Sequence, residues 1–255
     1  MGCETKARRL RHAGCVGIEI SQIRFVNCES QFDRDGFQTV PELVSAQLCD
    51  QIVNEFSQSS RPSDNRSRRG GIRNALRLSP TAKSVANSPE ILSLISQWIG
   101  GTPFPVRAIL FNKTNEANWG VPWHQDLAIA VAERVELPGF SAWSVKDGVL
   151  HVNPPVSVLE GMVTMRLHLD DCSDANGALR ILPGSHREGE LSNEAISRWA
   201  QETVAVTCEL RKGGALFMRP LLLHASSPAK NPSHRRVLHV EYAAKELPHG
   251  LKWAA

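Results

Sequence analysis

The chain has 255 residues, enough for one sizeable buried core and one or two domains. Its hydrophobic fraction of 42% and charged fraction of 22% are those of an ordinary soluble globular protein. A net charge of +3 and a pI near 8.6 are too mild to call for a nucleic-acid or membrane partner, and no apolar run approaches the roughly 20 residues that cross a bilayer.

Residues 1–28 open with "MGCETKARRLRHAGC", which is basic but lacks the apolar stretch of a secretory signal. Lys6 stands where a myristoylation signal needs Ser or Thr. A disordered tail is expected over 1–28, followed by one domain over 29–255. The cysteines at 3, 15, 28, 49, 172 and 208 form no CxxC pair, and a chain of this length needs no disulfide framework. Reduced thiols and a cytoplasmic location follow as expectations.

Folded structure is expected to begin near "FDRDGFQTVPEL", with a short strand from Phe37 to Val40 between Gly36 and Pro41. A helix follows from about Ser45, because Leu48, Ile52, Val53 and Phe56 recur at helical spacing. The next stretch carries arginines 61, 66, 68, 69, 73 and 77 against the single acid Asp64, and reads as a solvated loop, with Arg73 a helix-surface residue that could reach a site. Helices resume at "SPTAKSVAN" and "SPEILSLISQWIG", each opening with a serine cap and a proline at the first helical position. From Pro105 onward, short apolar runs alternate with Gly, Pro and Asn turns: "PVRAILFNK", "GMVTMRLHLDD", "GALRILPGS", "ETVAVTCEL", "GGALFMRPLLLHAS" and "RRVLHVEYAA". Strands at this spacing predict a mainly β sandwich or jelly roll buttressed by the N-terminal helices. Residues 127–160 are longer than a usual connection and read as a lid or substrate loop, with Trp143, Lys146 and His151 as substrate contacts; the alternative is a surface insertion anchored by Trp143.

The spacing His-x-Asp/Glu occurs at 124/126, 168/170, 186/188 and 239/241, so it is a weak signal alone. Its chemistry is sound, since residues i and i+2 of an extended segment face one side and bring imidazole and carboxylate to one ion. His124 and Asp126 follow Pro122 at a strand-to-loop boundary, where a rim can open to substrate. His168 and Asp170 run into a tight Asp-rich turn, and His186 lies in "LPGSHREG", where a solvated loop is the simpler reading. His224 ends an apolar strand and is the third ligand candidate. Alternation sets Thr164, Arg166, His168 and Asp170 on one face of their strand, and Arg235, Val237, His239 and Glu241 on one face of theirs. Such faces meet water or line a polar cavity, and a cavity for an anion wants this lining.

Together, His124-Gln125-Asp126, "LDDCSDANGALRILPGSH" at 169–186, His224 and Arg235 resemble the phytanoyl-CoA dioxygenase-like branch of Fe(II)/2-oxoglutarate oxygenases, over roughly Phe32 to Tyr242. The resemblance implies a double-stranded β-helix core with helices outside it. It implies that His124, Asp126 and His224 hold Fe(II), and that Arg235 binds the distal carboxylate of 2-oxoglutarate. Arg166 and Thr164 become further co-substrate contacts, with His168 and Arg73 added to the substrate contacts. The implied reaction uses O2, converts 2-oxoglutarate to succinate and CO2, and hydroxylates an unactivated carbon of a small molecule; no catalytic residue beyond the metal site is implied. Retention of Asp126 favours hydroxylation over halogenation, since related halogenases carry a small residue there. The substrate is not legible, and the assembly is expected to be a monomer or homodimer without nucleic acid or membrane. Two other readings stay open: a cupin-type metalloenzyme, which has no need of Arg235, and a binding module, which has no need of a metal triad.

Overall fold

The computed structural model describes residues 31–59, 71–230 and 234–254. The expected tail over 1–28 and arginines 61, 66, 68 and 69 lie outside the described residues. The helices are α1 (Gln31–Asp35), α2 (Ala46–Ser59), α3 (Ala75–Leu78), α4 (Pro80–Ala86), α5 (Pro89–Ile99), α6 (Val156–Glu160) and α7 (Asn193–Glu202). The strands are β1 (Phe37–Val40), β2 (Gly71–Arg73), β3 (Phe104–Lys113), β4 (Val121–His124), β5 (Ile129–Val131), β6 (Ser141–Lys146), β7 (Val149–Asn153), β8 (Met162–His168), β9 (Leu179–Ile181), β10 (Val206–Cys208), β11 (Ala215–Met218), β12 (His224–Ser226) and β13 (Arg235–Ala243).

A six-stranded antiparallel sheet runs in the order β1-β11-β8-β13-β3-β2, and a four-stranded sheet in the order β10-β9-β12-β4. The chain crosses between them repeatedly, from β3 to β4, β8 to β9, β10 to β11, β11 to β12 and β12 to β13. That is the double-stranded β-helix. The run "ALFMRPLLLHAS", which reads as one strand, is two, because it breaks at Arg219-Pro220. Proline has no N–H to continue the ladder, and the break carries His224 from the first sheet to the second.

Period-two alternation gives the large sheet two unlike faces. Outward, Val163, Met165 and Leu167 of β8, Phe217 of β11, and Leu238, Val240 and Tyr242 of β13 pack against Ile52, Phe56, Val85, Ile91, Leu94 and Ile95 of the helices. The Ser-Pro helix starts act as read: Ser79 accepts from Ala82 N–H at 2.9 Å, and Ser88 from Ile91 N–H at 3.4 Å. Inward, Leu216 and Met218 meet Leu179, Ile181 and Cys208 of the small sheet. The rest of that inward face is polar, and it becomes the wall of the site.

Residues 127–160 carry regular structure where the sequence suggested a loop. β5, β7 and β6 form a third antiparallel sheet, and Ile129, Val131, Phe140, Val152 and Leu159 bury a cluster of their own with Leu247 and Leu251. Asp147 and Gly148 turn the β6–β7 hairpin with φ of 50° and 76°, the paired positive angles that an Asp-Gly step tolerates. Asp-Gly was the overlooked hairpin signal.

Gly213 ties the helical layer to the large sheet. Its carbonyl accepts from Leu43 and Val44 N–H, and its own N–H donates to His168 carbonyl at 2.8 Å. Its φ is +89°, and a β-carbon there would lie 2.3 Å from Val44 carbonyl oxygen. Gly213→Ala is therefore expected to cost more than about 1 kcal/mol of stability. A lower urea midpoint at unchanged slope would show it; an unchanged midpoint would mean the contact yields freely.

Candidate metal centre and active-site cavity

β4 and β12 are antiparallel neighbours in a register that sets His124 directly opposite His224. Asp126 lies two residues beyond His124, its own N–H donating to Pro220 carbonyl at 2.9 Å. Nε2 of His124 is 3.8 Å from Asp126 Oδ1, and Nε2 of His224 is 3.6 Å from Oδ2. All three donor atoms fall within 4.8 Å of one another, and no second such cluster of His, Cys, Asp and Glu occurs among the described residues. Ligands at right angles on an ion about 2.1 Å away sit about 3 Å apart, so only a small contraction would close this set on a metal.

Backbone carbonyls choose the tautomers. Nδ1 of His124 lies 2.9 Å from Pro122 carbonyl oxygen, and Nδ1 of His224 lies 2.8 Å from that of Leu222. A carbonyl only accepts, so both protons sit on Nδ1 and both Nε2 lone pairs face Asp126. Burial, opposed by Asp126, brings the His224 imidazolium down to about 4, which leaves the ring neutral at pH 7. For Asp126, burial works against the charge, but His224, His239, His124 and Arg107 outweigh it and hold the carboxyl well below its usual range. Neutral imidazoles and an ionised carboxylate are the metal-binding forms.

Gln125, between the two, is 7% exposed and saturated with bonds. Its amide donates to Gly189 and Leu221 carbonyls, both at 2.7 Å, and its Oε1 accepts from Leu191 N–H at 2.8 Å. It thereby clamps the 124–126 segment to the crossover that delivers His224. Sequence reading gave Gln125 no role of its own. Nothing local marks it, because its partners lie far along the chain.

The three residues border a cavity between the sheets whose opposite wall is cationic: Arg107, Lys113, Arg166 and Arg235 all line it. Lys113, Arg166 and Arg235 are 1%, 7% and 3% exposed. Arg107 pairs with Glu241 at 2.5 Å, and Glu241 also accepts from His239 Nε2 at 3.1 Å. Nδ1 of His239 accepts from Arg166 at 2.9 Å, so His239 is the Nε2–H tautomer and bridges two guanidiniums through one carboxylate. Arg235 donates to Gly177 carbonyl at 2.9 Å and keeps Nε buried without a partner. Arg236 is committed elsewhere, to Asp170 at 2.6 and 2.7 Å, which also takes Asp170 away from His168.

The other expected contacts divide. Arg73 and Lys146 line a second cleft that shares Phe111 and Trp119 with the metal cavity. Arg73 ends β2, where the sequence suggested a helix surface, and pairs with Asp147 at 2.8 Å. Four residues stand outside the linings of both cavities. Thr164 and His168 are buried in β8, the His168 imidazolium pushed down to about 3 by burial, Arg166 and Arg235. His151 is buried in β7, with Nδ1 donating to Val149 carbonyl at 2.9 Å. Trp143 packs in the third-sheet cluster with Arg134 over its ring at 5.4 Å, the anchoring alternative. His186 is not simply solvated: it packs on Gly36 and its Nε2 donates to Asp33 carbonyl at 3.1 Å.

A family model for phytanoyl-CoA dioxygenase (PhyH) matches residues 32–237. The chain belongs to the phytanoyl-CoA dioxygenase family. Among its relatives, L-proline trans-4-hydroxylase of Streptomyces griseoviridis is 21% identical over an alignment of 250 residues that covers 85% of each chain. EctD from S. alaskensis, solved with bound Fe, superposes with a TM-score of 0.66 at 19% identity over 89% of this chain and 80% of that one. The carbocyclase SnoK from nogalamycin biosynthesis, described as non-heme and alpha-ketoglutarate dependent, gives 0.64 at 14% over 91% and 88%. At these identities the structural likeness establishes the shared fold.

In this family member, His124→Ala is expected to lose bound metal while His168→Ala retains it; elemental analysis in the opposite order would mean that the wrong histidine was chosen. Gln125→Leu should weaken metal affinity by about 10- to 100-fold, the usual effect of removing an outer-sphere support. Competition against a chelator reads it, and an unchanged constant would reduce Gln125 to filler.

Proposed function

We propose that the protein is an Fe(II)/2-oxoglutarate-dependent dioxygenase that hydroxylates an unactivated carbon of a small molecule. The observation that carries this reading is the juxtaposition of two histidine Nε2 atoms and the Asp126 carboxylate with a wall of buried arginines across one cavity. Two histidines and one carboxylate with room beside them suit Fe(II). A cupin-type metalloenzyme without 2-oxoglutarate would have no use for Arg235, and a binding module none for the triad.

In this account His124, Asp126 and His224 hold the iron. Bound iron and 2-oxoglutarate supply the oxygen-activating chemistry, in which the co-substrate becomes succinate and CO2 and the substrate gains a hydroxyl. Arg235 offers its free Nε and the planar guanidinium fork to the distal carboxylate, the geometry that makes arginine the usual carboxylate clamp. The Arg166–His239–Glu241–Arg107 chain fixes the floor beneath. Phe111 and Trp119 line both this cavity and the second cleft and give the boundary between them an apolar wall.

Substrate enters through that second cleft, of about 460 Å³, lined by Ile109, Phe111, Trp119 and Val145, with Lys146 and Asp147 at the hairpin tip and Arg73 on β2 beside them. Two cations against one acid beside an apolar wall favour a small substrate with an apolar body and a negative group. L-proline, the substrate named for the streptomycete relative, and 5-hydroxyectoine, bound with 2-oxoglutarate in an EctD structure, are small molecules of comparable scale. Residues 127–160 then serve as the outer wall of the substrate site. A cytoplasmic location is supported by the unpaired, buried thiols of Cys49, Cys172 and Cys208, and among the described residues no helix is long and apolar enough to cross a membrane.

The protein should form succinate from 2-oxoglutarate only with both Fe(II) and O2, and Arg235→Ala should abolish this at ordinary co-substrate concentrations. Full activity in Arg235→Ala would favour the cupin-type reading. In a screen by succinate release, small carboxylates should stimulate turnover more than their neutral amides. The preference should shrink in the Arg73→Gln/Lys146→Gln double variant, and neutral compounds stimulating best would place the anionic group wrongly.

A further inference from the structure

Lys113 ends β3 in direct register with Arg235 on β13, so two cations face each other across one pair of hydrogen-bonded strands. Lys113 is 1% exposed and Arg235 3%, and neither has a carboxylate partner among the described residues. Desolvating like charges side by side is costly unless an anion joins them. Burial brings the Lys113 ammonium down to about 8, with Arg235 adding to the effect, Cys172 opposing it and Arg166 a smaller contributor.

The surroundings hold the lysine in place. Its Nζ donates to Ser227 carbonyl at 2.8 Å and to Ser226 hydroxyl at 3.2 Å, which accounts for two of three N–H groups. Trp119 lies under the ammonium at 5.6 Å. Gly177, whose carbonyl accepts from Arg235, passes so close that a β-carbon there would lie 3.1 Å from Lys113 Nζ. One glycine thus touches both cations, and both line the cavity that holds the metal ligands.

We propose that Lys113 is a second positioning cation for the co-substrate, gripping its far carboxylate from β3 while Arg235 grips it from β13. The pair selects 2-oxo acids that carry a second carboxylate over those that end in a methyl group. Lys113 holds the acid and takes no part in bond making. This rests on the assignment of 2-oxoglutarate as co-substrate. The competing role is purely structural, a brace from β3 to the end of β12.

Calorimetric titration of the Mn(II)-loaded full chain with 2-oxoglutarate and with 2-oxopentanoate, its five-carbon analogue lacking the far carboxylate, separates the two roles. Lys113→Met should weaken 2-oxoglutarate by about 10- to 100-fold, the range for losing a hydrogen bond to a charged group, and leave 2-oxopentanoate unchanged. Lys113→Arg should recover part of the loss, and Lys113→Gln, which can still reach Ser227, should behave like Lys113→Met if the methionine form proves unstable. Equal weakening of both acids, through a displaced His224–Ser226 segment, would make Lys113 a brace and overturn the proposal. So would unchanged affinity for both. If the metal-loaded wild type binds neither acid, the co-substrate assignment fails and the role of Lys113 falls with it.

Discussion

Two backbone carbonyls, of Pro122 and Leu222, hold the protons of His124 and His224 on the far side of each ring, so that both lone pairs converge beside Asp126. The rest of the site depends on that arrangement. It requires β4 and β12 to be neighbours in one register, which in turn requires the chain to leave the large sheet at Pro220 and re-enter the small one at His224. Gln125 fastens the 124–126 segment to that crossover through Leu221 carbonyl, and to the 189–191 segment through two further hydrogen bonds, so the peptide that carries one ligand pair also braces the route to the third.

The large sheet supplies the complementary half. Its outward face is apolar and is covered by the N-terminal helices, while its inward face gathers guanidiniums, an ammonium and one neutral imidazole. Such a face is expensive inside a protein: each buried ion costs several kcal/mol unless compensated. Among the described residues, only Arg107 has an acid paired with it on this wall, in Glu241. The remaining positive charge is the feature that a dianionic co-substrate answers. A cavity meant only for an apolar ligand would gain stability from losing it.

Much of this was legible in the sequence. Strand alternation around Arg166 and Arg235 marked the polar face, the Ser-Pro pairs marked two helix starts, and His124, Asp126, His224 and Arg235 stood in the spacing of a known family. Other features were not legible, for physical reasons. The break at Pro220 was hidden by unbroken apolarity on both sides of it. The third sheet was taken for a loop because its core draws on Leu247 and Leu251, which no local window includes. His239 looked like one of several chance His-x-Glu pairs until Arg166 on β8 and Glu241 on its own strand gave it a tautomer. Gln125 and Lys113 take their meaning from contacts distant in sequence, and the composition around them is unremarkable.

The most direct test of the central claim, that one cavity binds iron and 2-oxoglutarate together, is an anaerobic titration of the protein with Fe(II) and then 2-oxoglutarate. The reading is the weak visible charge-transfer absorption of a chelated 2-oxo acid. The account predicts a band that requires both components and is lost in His124→Ala. Well-folded, iron-loaded protein that gives no band at saturating 2-oxoglutarate would contradict it.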